Sequence, residues 1–374
     1  MNRRDAIRRI ACASAAVALP AWAESARILL GQSAAFSGPA AQLGIQMNRG
    51  ARIWFDSVNA TGGIHGQRVE LRTLDDGYEP ERCKANTDKL IKDDVFALFG
   101  YVGTPTSLAA LPLVNDAKVP FFGPFTGAEA LRDPFSKVVF HVRASYYDET
   151  ALIVRQLTTL GLKKVAVFYQ DDAYGKAGLE GVRRALEPLG LKPVALGTVQ
   201  RNSVDVSAAV KTIAAAQPDA VVQISAYKSC AAFIRGARKA GYGGTFFNVS
   251  FVGTQALADE LGRAGRGVIV SQVMPFPFST TTAIAREYLD AVKKAGGDAQ
   301  PNYSSIEGYI AAKVFTEGLK RAGKSPTRES LVTALESIQN ASFGGFNVDF
   351  GPRDHVASNF VDLSMLTEDG KVRL

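Results

Sequence analysis

From Arg27 to Val273 the chain alternates strand-like and helix-like segments almost without a break. That alternation limits the fold more than any other feature of the sequence. Strand–helix–strand order implies parallel sheets covered by helices on both faces. Arg27–Ser33 reads as the first strand, and Ala34–Leu43 as a Gly/Pro/Ser loop. Met47, Ala51, Trp54, Phe55 and Val58 then recur at helical spacing, up to a glycine stop at Gly62-Gly63. Gln67–Leu74, Val95–Phe99, Val119–Phe122, Val138–Val142 and Lys164–Tyr169 are further strands, and the pattern continues through Gly267–Val273. One sheet cannot hold so many strands, so two doubly wound lobes are expected, with a break near Arg143–Tyr147. After Pro275-Phe-Pro277-Phe the order changes to three successive helices. Two late strands follow, Phe346–Phe350 and Val361–Leu366, and Lys371–Arg373 is a further pairing segment.

The length of 374 residues suits two lobes, and 47% hydrophobic with 21% charged residues describes a globular chain. Residues 1–23 are set aside as a signal peptide. Arg3, Arg4, Arg8 and Arg9 form a basic start, Ile10–Leu19 is a short apolar run, and Ala21-Trp22-Ala23 ends in small residues. Arg3-Arg4 suits the twin-arginine route, whereas Ala6, where an aromatic is usual, suits general secretion. Cleavage removes a net +3 from the formal +7 and leaves about +4, scattered and without the Lys/Arg block a nucleic-acid partner needs. Export permits a disulfide, but Cys83 and Cys230 fall in different expected lobes, so two free thiols are expected.

One stretch carries the chemistry. In Phe99–Gly127 two apolar strands each end in glycine and threonine: Gly100, Gly103, Thr104 and Thr106 after the first, then Gly123, Thr126 and Gly127 after the second. The helix Ser107–Asn115 lies between them. A strand that ends in Gly/Thr and feeds a helix start presents N–H groups and hydroxyls together, which suits a small anion. The Thr104 hydroxyl either binds that anion or caps the helix. Catalysis has little support. His65, His141 and His355 are isolated, and no metal-ligand spacing or nucleophile elbow occurs. Gly318–Ser325 matches the phosphate-loop pattern in letters only, because it lies inside a helical run and not after a strand. No catalytic residue, metal or cofactor is expected.

In Ser37-Gly38-Pro39, Asn59–Gly66, Asp75-Asp76, Gly100–Thr106, Asp172–Gly175, Ala231–Gly241 and Glu307–Ala312 the mature chain resembles the periplasmic solute-binding proteins of ABC transporters, branched-chain amino acid type. The resemblance implies a type I periplasmic binding protein: two α/β lobes, joined by three crossovers, that close over a ligand. Lobe 1 would take residues 26–143 and 276–347, and lobe 2 residues 144–275 and 348–374. It further implies a monomeric periplasmic receptor that captures a small carboxylate-bearing ligand and delivers it to a membrane permease. A sensory receptor of the same fold is the alternative. Residue by residue, Thr104 would hold the ligand carboxylate with backbone groups at Phe125, Thr126 and Gly127. Leu43 falls where the family has an aromatic. Tyr174 and Tyr227 would close over the ligand from lobe 2. The family's acid for a ligand ammonium falls at Ser250, where no acid stands, so either Glu307 or Asp172 substitutes or the ligand is a carboxylate with no amine, such as an aromatic or short-chain organic acid. The family's disulfide positions fall on Tyr78 and Gly103.

Overall fold

The computed structural model describes residues 27–374; the expected signal peptide and Cys12 lie outside them. The first lobe opens with β1 (Arg27–Ala34), α1 (Ala41–Ala60), β2 (Arg68–Asp75), α2 (Pro80–Lys92), β3 (Ala97–Phe99), α3 (Thr104–Ala117), β4 (Phe121–Phe122) and β5 (Val139–Phe140). These strands form one sheet in the order β2-β1-β3-β4-β5, parallel throughout. The second lobe holds α4 (Tyr146–Thr159), β6 (Val165–Gln170), α5 (Ala173–Leu186), β7 (Ala195–Val199), α6 (Ser207–Ala215), β8 (Ala220–Ile224), α7 (Tyr227–Lys239), β9 (Thr245–Asn248), α8 (Thr254–Leu261) and β10 (Ile269–Gln272). The chain then returns to the first lobe as α9 (Ala283–Ala295), α10 (Tyr303–Ala322), α11 (Arg328–Glu336) and the hairpin β11 (Ala341–Phe343)–β12 (Phe346–Val348). It ends in the second lobe with β13 (Asp362–Leu366) and β14 (Val372–Arg373). That sheet runs β14-β13-β10-β9-β8-β6-β7, with only the β10–β13 and β13–β14 pairings antiparallel. Three passages therefore link the sheets: β5 to α4, β10 to α9 and β12 to β13.

The apolar runs become strands because both sheet faces are covered. All five residues of β8, AVVQI, are buried, as is most of β6, VAVFYQ. Each lobe also contains a buried free cysteine, Cys83 and Cys230. The first lobe rests on a close crossing of α1 and α10. A Cβ on Gly50 would fall far inside contact distance of the Ser305 carbonyl oxygen, and one on Gly308 would do the same against Met47 O. Backbone meets backbone there because neither position carries a side chain.

Several strands are shorter than the sequence reading, and two helix starts that bear on the site differ from it. Helix α1 starts at Ala41, without a side-chain cap, so Leu43 is helical and not in a loop. Helix α3 starts at Thr104, three residues earlier than expected, with Pro105 in its first turn. Gly318 lies within α10 and Gly323 (φ 90°) ends it, so the literal phosphate-loop match forms no loop. The histidines serve structure. His65, His141 and His355 each meet a backbone carbonyl, those of Lys320, Leu131 and Val139 respectively.

Candidate functional site

The C-terminal ends of β3 and β4 deliver the Gly/Thr segments to the face that meets the second lobe. The N–H of Gly103 donates to Phe125 O (3.2 Å), and that of Phe125 to Tyr101 O (2.7 Å). This pins the two loops together. Gly103 has φ 103°, a backbone form that favours glycine, and the Tyr78 ring lies where its side chain would be. The two positions at which the resemblance puts a disulfide are thus in contact.

At the start of α3, Thr104 Oγ1 lies 2.6 Å from Thr126 Oγ1. Thr126 Oγ1 in turn donates to the Tyr146 hydroxyl (3.3 Å) on α4 of the other lobe. Thr104 makes no side-chain cap bond; Thr106 turns back onto the Val102 and Gly103 carbonyls instead. All four residues are buried. The N–H groups of Phe125 and Thr126 donate to Tyr101 and Pro124 carbonyls, and Gly127 O accepts from Tyr146 N (2.7 Å). In this conformation the hydroxyls, more than the loop amides, face the interlobe space. Burial pushes the Tyr146 phenol up to about 12, so it stays an O–H donor.

An aromatic set fills the middle. Phe251 of the second lobe packs on Tyr78 (centroids 5.9 Å apart) and Phe125 (5.7 Å) of the first, and on Tyr174 (4.6 Å) of its own. Tyr174 begins α5, lies beside Tyr146 (5.4 Å) and has a buried hydroxyl with no partner. Leu43 and Tyr227 sit at the mouth. Leu43 abuts Gly253, and the Tyr227 hydroxyl lies 3.4 Å from Gln42 N.

The floor holds a charged group that the sequence did not announce. Arg143, on the first passage between lobes, is 1% exposed. Its guanidinium lies over the Phe125 ring (4.5 Å) and donates to Ser250 Oγ (2.8 Å) and Glu307 Oε2 (3.1 Å). Its Nε stands 3.0 Å from Glu307 Oε1, off line for a hydrogen bond, and Nη1 has no partner. Ser250 meets a carboxylate after all. Its N–H and Oγ donate to Glu149 of α4 (2.7 and 3.0 Å), which also accepts from Ser271 Oγ (2.5 Å). Two buried carboxylates thus share one guanidinium. Burial pushes Glu307 up to about 7 against the pull of Arg143, and it raises Glu149 in the same way. Burial opposes the charge on Arg143, yet Glu307 and Glu149 hold it above its usual value. Of the two substitute acids, Glu307 therefore belongs to this group. Asp172 caps α5 through Tyr174 N and pairs with Arg201 (3.2 Å) at the rim. Among the described residues no cluster of three His, Cys, Asp or Glu could hold a metal ion.

The rim is tied across the cleft. Arg201 of the β7–α6 connection pairs with Glu79 of the first lobe (3.0 Å), and Asn202 Nδ2 donates to Glu79 Oε1 (2.7 Å) and Gly77 O (3.0 Å). These groups are partly exposed, so the Arg201–Glu79 pair is worth about 1 kcal/mol or less. Arg201→Ala should shift the unliganded protein toward open forms and raise its radius of gyration in X-ray scattering. High salt should do the same to the unmodified chain. An unchanged radius in both cases would show that the rim contacts carry no weight.

Two parallel-sheet lobes meeting over a buried polar site, with three passages between them, define a two-lobed solute receptor. The chain belongs to the periplasmic binding protein family, whose profile matches residues 28–371. A curated relative, Leu/Ile/Val-binding protein homolog 7 of Brucella melitensis, is 27% identical over 97% of this chain and 94% of its own length. A solved structure of a possible leucine/isoleucine/valine-binding protein from Rhodopirellula baltica is 35% identical (TM-score 0.90), covering 93% of this chain and 96% of that one. A substrate-binding periplasmic protein from Ralstonia solanacearum is 32% identical (TM-score 0.88), with 92% and 99% covered. The chain is therefore a branched-chain amino acid-type periplasmic binding protein by fold and family. No helix among the described residues is long and apolar enough to cross a membrane.

Proposed function

We propose that this chain is the periplasmic receptor of an ABC importer, capturing a small carboxylate-bearing ligand between its lobes and delivering it to the membrane permease. The observation that carries the reading is the hydroxyl chain Thr104–Thr126–Tyr146 at the start of α3. A helix start favours negative charge, and hydroxyls that now bond to one another can turn to donate to an anion. The chain spans both lobes, so an anion seated there bonds to both and favours closure. Phe125, Phe251, Tyr174 and Leu43 supply apolar walls for the rest of the ligand. The Leu/Ile/Val names of the relatives and the basic, apolar leader support a ligand of this size and a periplasmic place for it.

A thermal-shift screen of amino acids and of oxo, hydroxy and aromatic acids identifies carboxylates that bind. For such a ligand Thr104→Ala should weaken affinity by roughly 1.5–3 kcal/mol, the range for a hydrogen bond to a charged group, and Thr104→Ser should restore most of it. Calorimetric titration reads both. Unchanged affinity in Thr104→Ala removes the hydroxyl from the site.

A further inference from the structure

Several donors buried in the cleft have no acceptor. The Glu149 oxygens take three hydrogen bonds, and both Glu307 oxygens face Arg143. On the donor side, Arg143 Nη1 and the hydroxyls of Tyr174 and Tyr303 have no partner. Arg143, Tyr303, Ser304 and Glu307 line one cavity of about 10 Å³. In the closed lobes that is room for about one water. A buried donor left without an acceptor costs about 1–3 kcal/mol, more when it is charged. Three such groups in one cleft point to something that binds there and brings acceptors.

We infer that Arg143 is a ligand-contacting, specificity-determining residue whose Nη1 edge takes an amine-free oxygen group of the ligand, a carbonyl or a second carboxylate. This rests on the first carboxylate lying at Thr104. The ligand class is then an oxo acid or a dicarboxylic acid. Charge alone would favour an ammonium, because two carboxylates face one guanidinium. Two observations weigh against it. An ammonium adds three donors beside Arg143 Nη1 and two tyrosine hydroxyls that already lack a partner. The carboxylate excess is also reduced, because burial moves Glu307 to about 7. The charged and titratable groups around Glu307 are Arg143 on the first passage, Glu149 and Tyr146 on α4, Tyr174 on α5 and Tyr303 on its own helix. A second buried cation, Arg132, turns to the Ala128 and Arg143 carbonyls, so Arg143 is the cation that lines the cavity.

The test compares leucine, phenylalanine and glutamate, each with its own 2-oxo acid, by calorimetric titration of the mature protein. The best-bound oxo acid should exceed its amino acid by about tenfold or more, the weight of one hydrogen bond to a charged group. The double variant Arg143→Gln/Glu307→Gln removes the guanidinium together with the carboxylate it pairs with directly, and Glu149 keeps its hydrogen bonds from Ser250 and Ser271. That variant should erase the preference, while Thr104→Ala weakens both members of the pair alike. If the amino acid binds more tightly, or the double variant keeps the preference, the Arg143 assignment is overturned and the Thr104 reading stands. If no carboxylate binds, the Thr104 reading fails first and takes this one with it. The wild-type comparison needs no variant and decides even if the double variant does not fold.

Discussion

Gly50→Ala is expected to destabilise the protein by roughly 3 kcal/mol or more, at the upper end for an overpacked site. The added Cβ would lie inside the Ser305 carbonyl oxygen, a backbone atom of α10 that cannot turn aside as a side chain could. The helices must separate, and α10 carries Glu307, so ligand affinity should fall with stability. Gly308→Ala meets Met47 O from the other side of the same crossing. Once the helices have moved apart for one variant the second adds little, so the double variant should cost less than the sum. Gly243→Ala, with no neighbour within 4 Å, is the control and should be near neutral. Urea denaturation measures all four. A Gly50→Ala loss under about 1 kcal/mol would show that the crossing yields.

The second large effect is at Glu149. Replacing it with alanine leaves Ser250 N–H, Ser250 Oγ and Ser271 Oγ without their acceptor, and Arg143 with one carboxylate where it had two. Breaking a buried charged group on one side costs about 3–5 kcal/mol. Glu149→Gln keeps the shape and one acceptor oxygen and should lose clearly less. The same denaturation experiment reads the order. Equal losses for Ala and Gln would show that shape, not the carboxylate's acceptors, matters there.

How much of this was legible in the chain follows from where the partners lie. The sheets were readable because strands buried on both faces are written as unbroken apolar runs, Val165–Gln170 being the clearest. Thr104 and Thr126 were readable because glycine and threonine at strand ends are a local pattern. Leu43 was assigned to a loop because Gly38-Pro39 reads as a turn and no side-chain cap marks the helix start at Ala41. Glu149 had no local signal, and Arg143 very little. Arg143 finds Glu307 at a separation of 164 residues, and Glu149 finds Ser250 at 101. Looking for an acid at position 250 itself missed that the serine there receives one from α4. The one available hint was compositional: a charged residue three positions after the buried strand Val139–Phe140, in His141-Val-Arg143.

The contact between Tyr78 and Gly103 has a consequence for how the site is built. A disulfide at those positions would close the wall of the first lobe on itself, whatever the second lobe did, and would need an oxidant to form. Here the wall is a ring. Tyr78 packs on Phe251, and its hydroxyl accepts from Gln170 Nε2 (3.2 Å), both in the second lobe. The wall is therefore completed only when the lobes come together. Its rigidity belongs to the closed form, and it needs no redox partner to mature.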